Sequence, residues 1–139
     1  MGASKRDTTK IERQFDGHYA LSTATGVKLL LADYHAFQAR QFLGDYDAVV
    51  VLADLAEAIR LAGLTGRQAE ALALVYYEDL TQMEAGRRLG IAQNTLSEAL
   101  DRACEAIADV YYYWASHGEG YSVTSEFRSE RADDNDEQF

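Results

Sequence analysis

Between residues 64 and 107 the apolar positions fall three or four apart, in three runs separated by short polar breaks: Leu72, Val75 and Tyr76, then Ala85 and Leu89, then Leu96, Leu100, Ala103 and Ile107. That spacing predicts three helices whose apolar faces meet in one small core. Start and stop signals agree with the runs. Thr65 precedes Gln68 by three residues and Thr81 precedes Glu84 by three, two capping boxes in which side chains satisfy backbone N–H groups that a helix start leaves unpaired. Gly90 lies between the second and third runs, where a left-handed residue ends one helix and turns the chain into the next. The third helix is expected from about residue 92 and continues through Ala108, Val110, Tyr111 and Trp114 to residues 116–118. Gly86, inside the second helix, should cost ~1 kcal/mol relative to Ala, so it is expected to mark the tightest contact, where two helices cross.

Upstream, residues 45–62 read as a long amphipathic helix with Ala48, Val51, Leu52, Leu55 and Ile59 on one side, stopped by Gly63. Residues 28–42 read as one further helix carrying Leu30, Leu31, Tyr34 and Phe37, closed by Gly44. The two form a helical hairpin that would enlarge a core too small to be stable alone, and they are also a candidate dimerisation or partner platform. Proline is absent, and no strand pattern of convincing length competes with the helices. The expected fold class is therefore all-α: a helical bundle containing a helix-turn-helix, with an N-terminal helical hairpin and disordered tails. The expected division is a flexible arm at 1–25, the hairpin at 26–63, the helix-turn-helix at 64–115 and an acidic disordered tail at 116–139.

A helix-turn-helix points to duplex DNA. The polar face left on the third helix consists of Gln93, Asn94, Ser97, Glu98, Asp101, Arg102 and Glu105. Gln and Asn can pair bidentately with adenine, and it is the first residues of a recognition helix that reach base edges. The plain alternative is a solvated helix face in an ordinary bundle. The stretch LTGRQAEALALVYYEDLTQMEAGRRLGIAQNTLSEALDRA, about forty of the 139 residues, resembles the promoter-binding region four of bacterial sigma factors and the small phage-type transcription regulators built on it. The likeness lies in the LT-x-RQ start, the aromatic pair before a short loop and the Leu-Gly-Ile turn. It implies a third helix in the major groove, with Gln93, Asn94, Ser97 and Glu98 facing bases. Arg67, Thr81, Arg87, Arg88, Thr95 and Arg102 would then face phosphates, and RNA polymerase becomes a candidate protein partner.

Charge complicates that picture. From residue 65 to 115 four arginines stand against eight carboxylates, a net of −4. Counterion release from phosphates supplies much of the affinity of DNA-binding proteins, so a monomer should bind weakly at physiological salt. Oligomerisation, a neighbouring polymerase or the mildly basic arm with Lys5, Arg6, Lys10 and Arg13 could offset the deficit. From residue 116 onward seven carboxylates stand against two arginines, which places half of the formal charge of −10 in a low-hydropathy tail.

The run Tyr111, Tyr112, Tyr113 and Trp114 surrounds the end of the third helix, so one face cannot bury all four. These residues are the expected interface of a homo-oligomer, a dimer in the first instance, with burial against Tyr34 and Phe37 as the alternative. Cys104, the only cysteine, should be a buried or half-buried thiol. His18, His35 and His117 sit in no metal-ligand spacing. No nucleophile with a partnered base, signal peptide or apolar run of membrane-spanning length is legible. The expectations are a non-enzyme without cofactor, metal or membrane, in the cytoplasm of a bacterial host cell. Three readings remain: a sequence-specific regulator reading two half-sites, a small terminase-like DNA-packaging oligomer, and a protein-interaction module acting on RNA polymerase.

Overall fold

In a computed structural model, residues 19–117 are described. They form six α-helices and no strand: α1 (Ala24–Ala32), α2 (Tyr34–Phe42), α3 (Tyr46–Ala62), α4 (Gly66–Leu72), α5 (Gln82–Leu89) and α6 (Gln93–His117), with a π-helical turn over Ala73–Tyr77 between α4 and α5. The protein is an all-α bundle. The expected arm, most of it before residue 19, and the acidic tail beyond residue 117 lie outside the described residues.

The 25-residue α6 is the strut of the bundle. At 1.5 Å per residue it spans ~37 Å, and α1, α3, α4 and α5 all pack against it. Its inner stripe of Leu96, Leu100, Ala103, Cys104, Ile107 and Val110 is fully buried. Leu30 and Leu31 from α1, Leu55 and Leu61 from α3 and Leu72 from α4 join it in one continuous core. The helices before residue 64 thus share the core of the helix-turn-helix, as the smallness of that motif requires.

One expected helix is two. The chain breaks at Asp33, with φ −93° and ψ 9°, between α1 and α2. The reason is that the two halves have different partners: α1 lies mainly on α6, whereas α2 lies mainly on α3, and a straight helix could not serve both. Long-range contacts hold the break. The Tyr19 hydroxyl donates to the Asp33 carboxylate at 2.8 Å, and burial, followed by that bond, pushes the phenol up to about 12. The Tyr19 and Phe37 rings lie 6.2 Å apart, and Tyr34 on α2 tilts onto Tyr77 in the π turn with centroids 4.6 Å apart.

The tightest glycine is Gly26 rather than Gly86. A Cβ on Gly26 would stand 1.5 Å from the Tyr19 carbonyl oxygen and 2.1 Å from that of Ala20, so the turn entering α1 closes directly over it. Thr23 caps the same helix by accepting from the Gly26 N–H at 3.1 Å. Cys104 is fully buried, and burial pushes its thiol up to about 11, which leaves it protonated and inert near neutral pH.

Gly26→Ala should force the Tyr19–Ala20 turn off α1 and lower stability by about 1–3 kcal/mol or more, read as a lower urea midpoint. Gly66→Ala, where a Cβ meets nothing within 4 Å, should be tolerated.

Candidate nucleic-acid interface

The candidate interface is built by α5, the turn after it and the first turns of α6. Both capping boxes form. The Thr65 N–H donates to Gln68 Oε1 at 3.1 Å, and the Gln68 N–H returns to Thr65 Oγ1 at 3.2 Å. At α5 the Thr81 N–H and hydroxyl donate to Glu84 Oε1 at 3.1 and 2.9 Å, while the Glu84 N–H donates to Thr81 Oγ1 at 3.1 Å. These bonds hold the Glu84 carboxyl below its ordinary value of 4.5, first through the Thr81 N–H and then through its hydroxyl.

Gly90 adopts φ 71° and ψ 33°, the left-handed conformation expected of it. Its N–H donates to the Arg87 carbonyl at 3.2 Å, and the Ile91 N–H donates to the Gly86 carbonyl at 2.9 Å. That second bond brings the turn back over α5 and explains Gly86: a Cβ there would sit 3.0 Å from the Ile91 carbonyl oxygen. The close approach is to the backbone of the turn, not to the side chains of a crossing helix. Chain direction then resets at once, because the Leu96 N–H donates to the Ala92 carbonyl at 3.0 Å and α6 begins at Gln93.

This geometry leaves Gln93, Asn94 and Thr95 exposed in the first turn of α6, with Glu98 exposed one turn on and Ser97 half-buried between them. The base-facing candidates and Thr95 are therefore gathered at the start of one helix, where unpaired N–H groups and the helix dipole favour an anion. Arg87 and Arg88 are exposed in the last turn of α5, and Arg67 and Arg102 are exposed on α4 and α6. Thr81 differs from the rest, because its hydroxyl hydrogen already serves the α5 cap. Arg88 also has a neighbour, Glu78 from the loop before α5, at 3.8 Å.

The polar face of α6 is not uniformly solvated. Asp101 forms a partly exposed ion pair with Lys28 of α1. Beyond it, Glu105, Asp109 and Tyr112 continue the exposed stripe begun by Asn94, Glu98 and Arg102. The aromatic run divides. Tyr113 is buried and stacks on His117 with centroids 3.9 Å apart, Tyr111 meets Trp114 edge-on at 5.3 Å, and Tyr112 is exposed. Tyr113 thus belongs to the core of its own chain, and Tyr112 is the member of the run most open to another molecule.

Periodicity missed the π turn. The Glu78 N–H donates to the Ala73 carbonyl at 2.9 Å and the Leu80 N–H to the Leu74 carbonyl at 3.0 Å. Asp79 takes a positive φ of 63°. The extra residue in the turn sends Tyr76 and Tyr77 to different neighbours, and burial pushes the Tyr76 phenol up to about 12, with Cys104 and Asp101 adding to it. Among the described residues no group of His, Cys, Asp and Glu is arranged to hold a metal ion. No helix there is long and apolar enough to cross a membrane.

Residues 60–109 match the family model of sigma-70 region 4, a stretch running from the end of α3 through most of α6. A UPF0251 protein of Pyrococcus horikoshii is 49% identical over 47 residues, 34% of this chain and 43% of that protein. A UPF0251 protein of Pyrococcus abyssi is 47% identical over 47 residues, with the same shares. The match thus spans less than half the length of these curated relatives. No solved structure matches the chain. The segment at 60–109 is thus similar to the helix-turn-helix DNA-binding domain of sigma-70 region 4.

Thr81→Ala should cost about 0.5–2 kcal/mol by unmaking the α5 cap, read by chemical denaturation. Glu84 adds a pH signature. Its folded pKa lies below its unfolded one, so its contribution is present above the unfolded value and is lost as pH falls through the folded value. The urea-midpoint gap between the parent and Glu84→Gln should therefore be constant above roughly pH 5 and close as the pH falls below about 4.

Proposed function

We propose that this protein is a sequence-specific DNA-binding transcription regulator that places the first turns of α6 in the major groove. The observation that carries the reading is the exposed Gln93-Asn94-Thr95 turn, set directly behind the left-handed Gly90 and beside Arg87 and Arg88, within a region 4 segment. Gln93, Asn94, Ser97 and Glu98 take the base edges, while Arg67, Arg87, Arg88, Thr95 and Arg102 fix register on phosphates. Thr81 acts through its backbone cap instead of a direct phosphate contact.

Acidic residues farther along α6 fit this mode if the helix enters end-on. Glu105 and Asp109 follow Gln93 by 12 and 16 residues, ~18 and ~24 Å along the axis, whereas the major groove is ~12 Å wide. Their carboxylates would stand outside the groove. The protein would act on transcription beside RNA polymerase, and a dimer reading two half-sites about one helical turn, ~34 Å, apart would supply the affinity that one acidic monomer lacks.

A second reading, a module that binds RNA polymerase without gripping DNA, is favoured by one observation: Glu98, Glu105 and Asp109 share the exposed stripe of α6. Selection of bound fragments from a random duplex library, followed by anisotropy titrations at several salt concentrations, separates the two. The regulator reading expects a recovered consensus. Arg87→Ala with Arg88→Ala should weaken all duplexes alike and flatten the log–log salt slope by about 2, and Asn94→Ala should cost about 1–3 kcal/mol at one base position. No enrichment and no salt-dependent binding would favour the interaction module.

Glu78→Gln removes the carboxylate that competes with phosphate for Arg88. It should tighten binding by up to about fivefold, the worth of an exposed ion pair. Unchanged or weaker binding in the same titration would place Arg88 away from the backbone.

A further inference from the structure

Among the described residues, the three most exposed large apolar side chains stand at one end of the α2–α3 hairpin. Phe42 is 91% exposed, Leu43 83% and Tyr46 69%, with Val49 beside them at 37%. Single exposed apolar residues are ordinary, but a contiguous group marks an interface.

Helix α3 shows why the group is there. Its inward face is Ala48, Val51, Leu55, Ala58, Leu61 and Ala62. Tyr46, Val49, Val50 and Ala53 repeat at i, i+3, i+4 and i+7, which makes a second apolar stripe on the outer side, where Tyr46, Val49 and Ala53 are exposed and Val50 half-buried. After two turns the outer stripe becomes polar, and Glu57 and Arg60 form an ion pair there. A helix apolar on both sides for only its first two turns is built to be covered on the second side over that length alone.

We propose that a second copy of this chain covers the patch, so that the α2–α3 hairpin ends form the two-fold contact of a homodimer. Area supports this occupant. With ~150–250 Å² for a whole aromatic side chain, the four residues expose on the order of 500 Å² per copy. A two-fold pairing buries ~1,000 Å², the lower bound of a specific interface. Charge supports it too. The stripe from Tyr46 to Ala53 has no charged member, so the apolar contact itself places no like charges together, while Asp47 and Asp54 flank it. The rim carries both signs, Arg40 and Asp45, whose side chains pair at 2.8 Å, and a surface bearing both signs can complement itself across a two-fold axis.

The contact is distinct from the aromatic run at 111–114 and rests on the two-half-site reading above only for its purpose. Its test is therefore made without DNA. Sedimentation equilibrium of the full chain at about 50 µM should give twice the 15.5 kDa chain mass. Phe42→Glu with Leu43→Glu should halve that mass while the helix content read by circular dichroism stays unchanged, since neither side chain is buried within its own chain. Leu43→Cys in a Cys104→Ala background should form an interchain disulfide on mild oxidation, and Arg67→Cys in that background should not. A single-chain mass for the parent, as when residues 1–18 cover the patch themselves, would overturn the proposal. So would a ring of eight or more, or a dimer that survives the double substitution. Duplex titration of the parent and the double variant separates the two questions: a monomeric variant that still binds one half-site, more weakly, leaves the DNA reading intact, and a dimeric parent that binds no duplex leaves the interface intact.

Discussion

Every other part of the bundle depends on the burial of one stripe of α6. Leu96, Leu100, Ala103, Cys104, Ile107 and Val110 are shielded from water by four other helices, and each of the larger side chains contributes ~1.5–3 kcal/mol when fully buried. The same helix begins with the residues proposed to read DNA. Its first turns cannot shift or fray independently, because Leu96 and Leu100 are locked in the core within two turns of Gln93. A rigid support is what a probe aimed at base edges requires.

That arrangement constrains the turn before it. Once α6 is fixed, α5 must reach it in three residues, Gly90, Ile91 and Ala92, and the hydrogen bond from Ile91 back to Gly86 closes the path. Two glycines answer two different demands: Gly90 supplies a left-handed backbone, and Gly86 leaves room for the Ile91 carbonyl. The arginines of α5 are thereby placed beside the start of α6. On the far side, Lys28 of α1 pairs with Asp101 in the third turn of α6, where both side chains stay partly exposed.

Features governed by neighbours a few residues away were legible in the sequence. The two capping boxes, the left-handed Gly90, the Gly63 stop and the length of α6 all follow from local hydrogen-bonding or steric rules, and each stands where those rules put it. Features set by distant partners were not. Nothing near Asp33 announces a break, since its cause is the Tyr19 hydroxyl and the different docking surfaces of α1 and α2. Gly26 gave no sign of its contact with the Tyr19 carbonyl, and the π turn answers to Tyr34 and the α6 core. In the candidate interface, spacing placed Gln93, Asn94 and Thr95 together in the exposed first turn of α6. It could not reveal that the Thr81 hydroxyl is engaged in a cap or that Glu78 approaches Arg88, because side-chain competition depends on the folded loop.

In the proposed complex α6 meets duplex DNA end-on, through its first turns. Backbone amide NMR of the full chain, titrated with a duplex recovered by selection, tests it most directly. Large shift changes at residues 87–98, with residues 105–117 nearly unmoved, are the predicted result. Changes centred on residues 105–117, or on the α2–α3 hairpin with residues 93–98 unaffected, would contradict it.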